Sequence, residues 1–144
     1  MNTLIEQLPH RAPFVFVSRV MICDGERFEA EWQVDGTEDF FRGHFPSDPI
    51  VPGVLLIESM AQTAGMSLIA RYGDTGCRGM LVHSEIRFRI PVRPPAVITL
   101  HASELTSVGQ LFRLSVTAIV AGVVAAEGTV VLSTAGSAAA TPDV

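Results

Sequence analysis

The sequence contains no lysine, so its positive charge comes entirely from ten arginines, set against fifteen aspartate and glutamate residues. The net charge is −5 and the isoelectric point is about 5.2. A general nucleic-acid binder is expected to be more basic, so we predict no nucleic-acid partner. An acidic protein partner would need a local arginine patch, because the overall field of the protein repels it.

Cysteine is also scarce. Cys23 and Cys77 lie far apart, and neither a C-x-x-C motif nor a histidine-rich cluster accompanies them. We therefore expect two free thiols in a reducing compartment. No metal site and no cofactor is expected.

Long hydrophobic runs are missing as well. The first residues, MNTLIEQLPHR, lack the basic region and the apolar run of a signal peptide. The longest uncharged apolar stretch, residues 114–126, is shorter than the roughly 20 residues that span a bilayer. These absences predict a cytoplasmic protein without a membrane segment.

The chain has 144 residues, of which 48% are apolar. That length suits one hydrophobic core rather than two, so we assign a single domain to residues 1–134. The remaining residues, 135–144, are small and polar, and we expect them to be disordered.

The pattern of apolar residues predicts two early strands, one long helix and four later strands. Residues 3–8 are typical of a short helix, and residues 14–22 and 27–34 of a β-hairpin that turns at Asp24 and Gly25. The four later segments read as consecutive strands of a meander: 80–90, 97–105, 111–120 and 123–132.

The predicted long helix, residues 54–70, has Glu58 as its only charged side chain. Such an apolar helix must be largely enclosed by protein. Together these elements indicate an α+β fold in which an antiparallel sheet wraps around one helix. Because the helix has more apolar surface than one sheet face can cover, we also expect a dimer.

Candidate chemistry begins in the loop before this helix. His44 lies in the turn Gly43-His44-Phe45-Pro46, where restricted backbone limits the directions in which the imidazole can point. Gly53 then opens the helix, and the unpaired N–H groups of the first turn lie at the positive end of its dipole. These N–H groups could hold a carbonyl oxygen as it gains negative charge.

Glu58 lies in the second turn of the helix, and Gln62 follows four residues later on the same face, near enough to hydrogen-bond it. A carboxyl group in an apolar helix should have a raised pKa, which suits a proton donor near neutral pH. An ordinary amphipathic helix with Glu58 in water would show the same pattern, since Glu58, Gln62 and Gly65 cluster within about 60°.

At these residues the chain resembles the β-hydroxyacyl-acyl-carrier-protein dehydratases of fatty-acid synthesis. LPHRAPFVFVSRV (residues 8–20) is similar to the N-terminal segment of that family, and GHFPSDPIVPGVLLIESMAQ (residues 43–62) to its active-site loop and central helix. Weaker similarity runs through RFRIPVRP (residues 87–94) to about residue 133.

The resemblance implies a hot-dog fold, a homodimer that often assembles into a trimer of dimers, and two active sites at the dimer interface. His44 of one subunit would remove the α-proton, and Glu58 of the other would protonate the departing β-hydroxyl. The backbone N–H groups of Gly53 and Val54 would bind the thioester oxygen, and Gln62 would orient Glu58. The substrate would be a (3R)-hydroxyacyl chain carried by acyl carrier protein.

The chain departs from the family pattern in two places: at Ile90 and the run Pro91-Val92-Arg93-Pro94-Pro95-Ala96, and at Met80, Leu81, Val82 and His83. These departures leave open the acyl chain length, the carrier, and the choice between fatty-acid and polyketide-type synthesis. Arg87 and Arg89 alternate with apolar residues, so both should point away from the core. They could dock an acidic carrier protein or form a solvated face.

The remaining histidines are interpreted as structural: His10 in the N-terminal segment, and His83 and His101 on strands. Two other functions fit the same fold. One is a hot-dog acyl thioesterase, although hydrolysis there needs no imidazole opposite the carboxylate. The other is a non-catalytic acyl-binding or assembly subunit. A dehydratase that also isomerises the double bond stays open.

Overall fold

The computed structural model describes residues 3–73 and 79–134, and its six strands form one antiparallel sheet in the order β1-β2-β4-β5-β6-β3. The elements, in chain order, are α1 (Thr3–Gln7), β1 (Arg19–Cys23), β2 (Phe28–Val34), a 3-10 helix (Asp39–Arg42), α2 (Gly53–Tyr72), β3 (Met80–Phe88), β4 (Ala96–Val108), β5 (Leu111–Val120) and β6 (Val123–Ser133). Cys77 and the predicted disordered tail lie outside the described residues.

One long helix against one sheet is confirmed. Helix α2 packs on β2, β3, β4, β5 and β6. Strand β2 buries every second residue, as expected of a strand with one face on the core. The core joins the two layers and includes Trp32, Leu56, Met60, Ile98 and Leu100, each exposed by 5% or less.

Helix α2 is three residues longer than the segment 54–70 predicted from the sequence. It begins at Gly53, directly after Pro52, and ends before Gly73. By length and composition alone it could cross a membrane, but half of its apolar window is buried inside the fold. The sheet therefore encloses about half of the helix that composition predicts to be covered by protein.

The predicted four-strand meander is wrong for its first strand. Strands β4, β5 and β6 follow one another as hairpins, but β3 pairs with β6 at the far edge of the sheet, and β4 pairs with β2. The segment between β3 and β4 contains Pro91, Pro94 and Pro95, which predict a break between strands but not whether the next strand pairs with β3. In the structure the chain crosses from β3 at the edge of the sheet to β4 beside β2.

The predicted strand 14–22 is wrong in its first half, because the sheet begins only at Arg19. Residues 14 to 16 bond instead to polar side chains of α2. The backbone N–H of Phe16 donates to Oε1 of Gln62 (2.8 Å), and its carbonyl accepts from Oγ of Ser59 (2.7 Å). Nε2 of Gln62 donates to the carbonyl of Phe14 (3.1 Å). A β-rich sequence is thereby held on the helix.

Strand β3 forms an edge of the sheet and exposes large apolar side chains. Along this strand and just after it, five such residues are at least 37% exposed: Met80, Leu81, Val82, Phe88 and Ile90. An exposed edge strand also offers unpaired backbone groups to another chain. The β3 edge thus combines two properties of an association surface.

Candidate active site

His44 is held in one orientation by its own loop. Its Nδ1 lies 2.8 Å from the carbonyl oxygen of Ile50, and the ring of Phe45 stacks on it with centroids 4.2 Å apart. Because a carbonyl oxygen only accepts, Nδ1 carries the proton in the neutral ring. Nε2 of His44 is then the basic nitrogen, and it is the atom that can take a proton from a substrate.

Glu58 has the altered acidity expected of a proton donor. Its side chain is 23% exposed, in the second turn of α2. Burial raises the pKa of the Glu58 carboxyl above its ordinary value of 4.5, while the nearby His10 and a hydrogen bond from Gln62 oppose that rise. Desolvation is the largest of these effects, so the protonated form persists to higher pH than for a carboxyl in water.

Glu58 borders a mainly apolar cavity of about 670 Å³. The cavity follows α2 from Glu58 towards Tyr72, which lies about 21 Å further along a helix of this length. Its size is in the usual range for small-molecule sites. The side chains on its wall include Leu8, His10, Ala61, Gln62, Leu68, Ile69, Met80, Leu81, Phe112 and Leu132. His44 does not line it.

The chain therefore does not bring all the predicted site residues together. Glu58 and Gln62 share the cavity, whereas His44 lies on a loop outside its wall. Within one chain, Glu58 and His44 therefore do not share this cavity.

His10 is a residue of this site that the sequence analysis missed. Its Nε2 lies 3.8 Å from Oε2 of Glu58, and its ring is stacked at 6.2 Å from that of Phe14. Its Nδ1 is buried and has no hydrogen-bond partner among the described residues. The local pattern around His10 could not reveal this, because the contact depends on the N-terminal segment docking on α2.

Gln62 has a larger structural role than the predicted one of orienting Glu58. It is 1% exposed, and its amide holds the backbone of Phe14 and Phe16. Its hydrogen bond to Glu58 also helps to lower the pKa of that carboxyl. Gln62 thus joins the acidic group to the segment that carries His10.

The start of α2 is free to bind an acceptor. The N–H groups of Leu55 and Leu56 both donate to the carbonyl of Pro52 (2.9 and 3.1 Å). Within the described part of the chain, the N–H groups of Gly53 and Val54 have no such partner, as expected for the first turn of a helix.

The absence of a side chain at Gly53 has a further reason. A Cβ there would lie 3.0 Å from the ring of Phe88, so glycine lets this ring pack against the helix start.

The family model described as the FabA-like domain matches residues 8–135. The chain belongs to the FabA-like domain family. It is 39% identical over 133 residues to 3-hydroxyacyl-acyl-carrier-protein dehydratase FabZ of Paramagnetospirillum magneticum, a match that covers 89% of this chain and 82% of the relative. The resemblance predicted from the loop and helix motifs is confirmed.

Solved structures support the hot-dog fold of this FabA-like protein. The dehydratase heterocomplex ApeI:P from Xenorhabdus doucetiae superposes with a TM-score of 0.76 at 20% identity, covering 91% of this chain and 90% of the other. A hypothetical thioesterase with coenzyme A from Streptococcus pneumoniae gives 0.69 at 12% identity, covering 95% and 98%. At such identities the likeness shows the fold alone, and both chemistries occur on it.

The two candidate docking arginines of the FabA-like chain differ in their surroundings. Arg87 and Arg89 are both exposed, but so are the apolar residues Phe88 and Ile90, so β3 does not show the predicted alternation of inward and outward side chains. Nε of Arg89 lies 3.2 Å from Oε2 of Glu127, so an ion pair partly neutralises it. No ion pair of Arg87 is found within residues 3–73 and 79–134. Arg87 therefore has the freer charge.

The raised pKa of Glu58 has a consequence for stability. A folded-state pKa above the unfolded value means that the folded protein holds the proton more tightly. Stability should therefore fall as pH rises from about 4.5 through the folded pKa, and then stay level. Glu58→Gln, which cannot ionise, should avoid this loss.

We expect the melting temperature of Glu58→Gln to exceed that of the wild type by more at about pH 8 than at about pH 4. Thermal unfolding followed by circular dichroism at both pH values measures the difference. Glu6→Gln is a suitable control, because Glu6 is exposed on α1. An advantage of Glu58→Gln that is the same at both pH values would contradict the assigned burial effect.

Proposed function

We propose that this protein removes water from a (3R)-hydroxyacyl thioester on acyl carrier protein to give the trans-2-enoyl thioester. The observation that carries the proposal is Glu58, a partly buried carboxyl with a raised pKa on the wall of an apolar cavity in a FabA-like chain. Such a cavity suits an acyl chain, and such a carboxyl suits a proton donor.

In the proposed reaction, His44 and Glu58 each transfer one proton. Nε2 of His44 removes the α-proton, and the C–H electron pair forms the new double bond. The bond between the β-carbon and the hydroxyl oxygen breaks as Glu58 donates a proton, so the hydroxyl departs as water. The N–H groups of Gly53 and Val54 stabilise the charge that builds up on the thioester oxygen.

The site is proposed to lie between two subunits, with His44 of one facing Glu58 of the other. This proposal accounts for a cavity that contains Glu58 but not His44. The β3 edge would supply the dimer contact, because it exposes apolar side chains beside free backbone groups. Further assembly into a trimer of dimers and a cytoplasmic location remain predictions.

The direct test is incubation with a panel of β-hydroxyacyl carrier thioesters of different chain lengths, read by mass spectrometry. Dehydration predicts loss of water with the thioester intact, whereas a thioesterase would release free thiol. A non-catalytic acyl-binding subunit would bind the carrier and leave its cargo unchanged. A shift of the double bond in the product would identify an isomerising dehydratase.

Carrier docking is proposed to use Arg87 more than Arg89, because Glu127 already neutralises part of the charge of Arg89. Arg87→Glu should lower kcat/KM for a carrier-bound substrate roughly tenfold, because a reversed charge at the edge of the docking surface slows encounter with an acidic partner. Arg89→Glu should have a smaller effect. Neither variant should alter turnover of a small thioester mimic.

Steady-state rates on both substrates at low and high salt test this expectation. Added salt should reduce the difference between Arg87→Glu and the wild type, because it screens exposed charges. An equal loss on the carrier substrate and on the mimic would reject a docking role for Arg87.

A further inference from the structure

The loop that carries His44 is closed by its own hydrogen bonds. The N–H of Ile50 donates to the carbonyl of His44 (3.0 Å), and Phe45 and Asp48 exchange two backbone bonds (3.2 and 3.1 Å). With the bond from Nδ1 of His44 to the carbonyl of Ile50, the ring and the backbone of the loop form one unit. Any movement of this unit as a whole would move the imidazole.

The N–H of His44 donates to the carbonyl of Phe41 (3.4 Å), and further bonds tie this unit to the segment that follows β3. The N–H of Val51 donates to the carbonyl of Val92 (2.8 Å), a residue that is 2% exposed. Nε of Arg93 lies 2.9 Å from Oδ1 of Asp48, and Nη2 lies 3.2 Å from Oδ2. The guanidinium of Arg93 thus makes a bidentate pair with both carboxylate oxygens of Asp48. Such a pair fixes the relative orientation of the two groups as well as their distance.

The segment that carries Arg93 is itself restricted. Pro91, Pro94 and Pro95 flank it, and each proline fixes its own φ angle. This segment, residues 91–96, is one of the two places where the sequence departs from the family pattern. The Arg93 pair also lowers the pKa of Asp48, so the carboxylate stays ionised.

We propose that Arg93 and Asp48 are a positioning pair that holds the His44 loop, and with it the imidazole, in the geometry needed for proton removal. The inference rests on the proposed role of His44. Both side chains are 53% exposed, so the pair should add little to overall stability. A misplacement of about 1 Å at a reacting group, by contrast, can cost 10²-fold in rate.

Kinetics of Arg93→Met provide the test, because methionine keeps a long apolar stem and removes the bidentate pair. We expect kcat for the carrier-bound substrate to fall roughly 10- to 100-fold, with KM changed less than about twofold and the melting temperature nearly unchanged. Asp48→Asn should behave in the same way. The double variant should be no slower than either single variant, because both remove one interaction.

Arg42→Met is the matched control. Arg42 forms a surface ion pair with Asp39 (3.1 Å) on the 3-10 helix just before the His44 loop, and both side chains are more than 80% exposed. It should lose no activity. Equal losses in Arg42→Met and Arg93→Met, or full activity in Arg93→Met, would overturn the positioning role.

A second background separates this inference from the proposed function. In His44→Ala, adding Arg93→Met should lower the residual rate no further, because the loop has no imidazole left to place. An additional loss there would show that Arg93 acts elsewhere. If His44→Ala alone retains full activity, the proposed catalytic role of His44 fails, whatever Arg93→Met does.

Discussion

His44→Ala and Glu58→Gln should each lower the rate of dehydration roughly 10²- to 10⁴-fold and leave the fold intact. Each substitution removes a group that transfers a proton in the elimination step, and general acid–base catalysis accounts for losses of this size. The fold should survive because His44 is only partly buried on a loop and glutamine keeps the shape of Glu58. Loss of water from a carrier-bound substrate, followed by mass spectrometry, measures the effect.

The double variant should be far from additive, because acid and base act on one transition state. His101→Ala serves as the control. His101 pairs with Glu29 on the neighbouring strand (3.3 Å), does not line the cavity, and should keep full activity. If His10→Ala abolishes dehydration while His44→Ala does not, the base would be the histidine already beside Glu58 in the same chain.

Mixing the two inactive single variants tests the sharing of the site between subunits. A mixed dimer would contain one site with both lesions and one with neither, so activity should partly return after subunit exchange. Native mass spectrometry can verify the exchange, and sedimentation can verify the dimer. No recovery in verified mixed dimers, or an active monomer, would reject the shared site.

The strand and helix pattern could be predicted where each element satisfies its own periodicity. Strand β2 buries every second residue, and α2 is apolar between a proline and a glycine, so both stand out locally. Residues 14–16 could not be assigned in this way. Their β-rich sequence predicts a strand, but Ser59 and Gln62 take the hydrogen bonds that a neighbouring strand would otherwise take.

The partner of a strand is likewise a property of the whole sheet. The break at Pro91, Pro94 and Pro95 could be predicted from the sequence. Whether β3 pairs with β4 or with β6 depends instead on which strand of the assembled sheet has an unpaired edge. Local turn residues carry no information on that choice.

The residues of the candidate site likewise fall into those that the sequence could predict and those that it could not. His44, Glu58 and the opening of α2 lie within one continuous motif, so their residue types and spacing were enough to single them out. The contact between His10 and Glu58 joins distant parts of the chain, and so does the pairing of Asp48 with Arg93. Contacts of this kind follow from tertiary packing, which no local pattern encodes.

Gly128→Ala should have the largest effect on stability, more than about 4 kcal/mol or loss of folding altogether. Gly128 lies on β6 opposite Ile86 of β3. An added Cβ would overlap the backbone carbonyl oxygen of Glu85 and lie 3.0 Å from the Cα of Ile86. Because these are backbone atoms, no side-chain rotation can relieve the overlap, and β3 must separate from β6.

That separation should also disturb the site, since β3 carries Phe88, which packs on Gly53 at the start of α2. Urea unfolding of Gly128→Ala and of Gly65→Ala gives a matched comparison. A Cβ at Gly65 would lie 3.8 Å from Leu8, an ordinary contact, and alanine is favoured over glycine inside a helix by about 1 kcal/mol. Gly65→Ala should therefore be slightly stabilised. If Gly128→Ala unfolds within about 1 kcal/mol of the wild type, the β3–β6 pairing cannot have the close approach that places Phe88 against the helix.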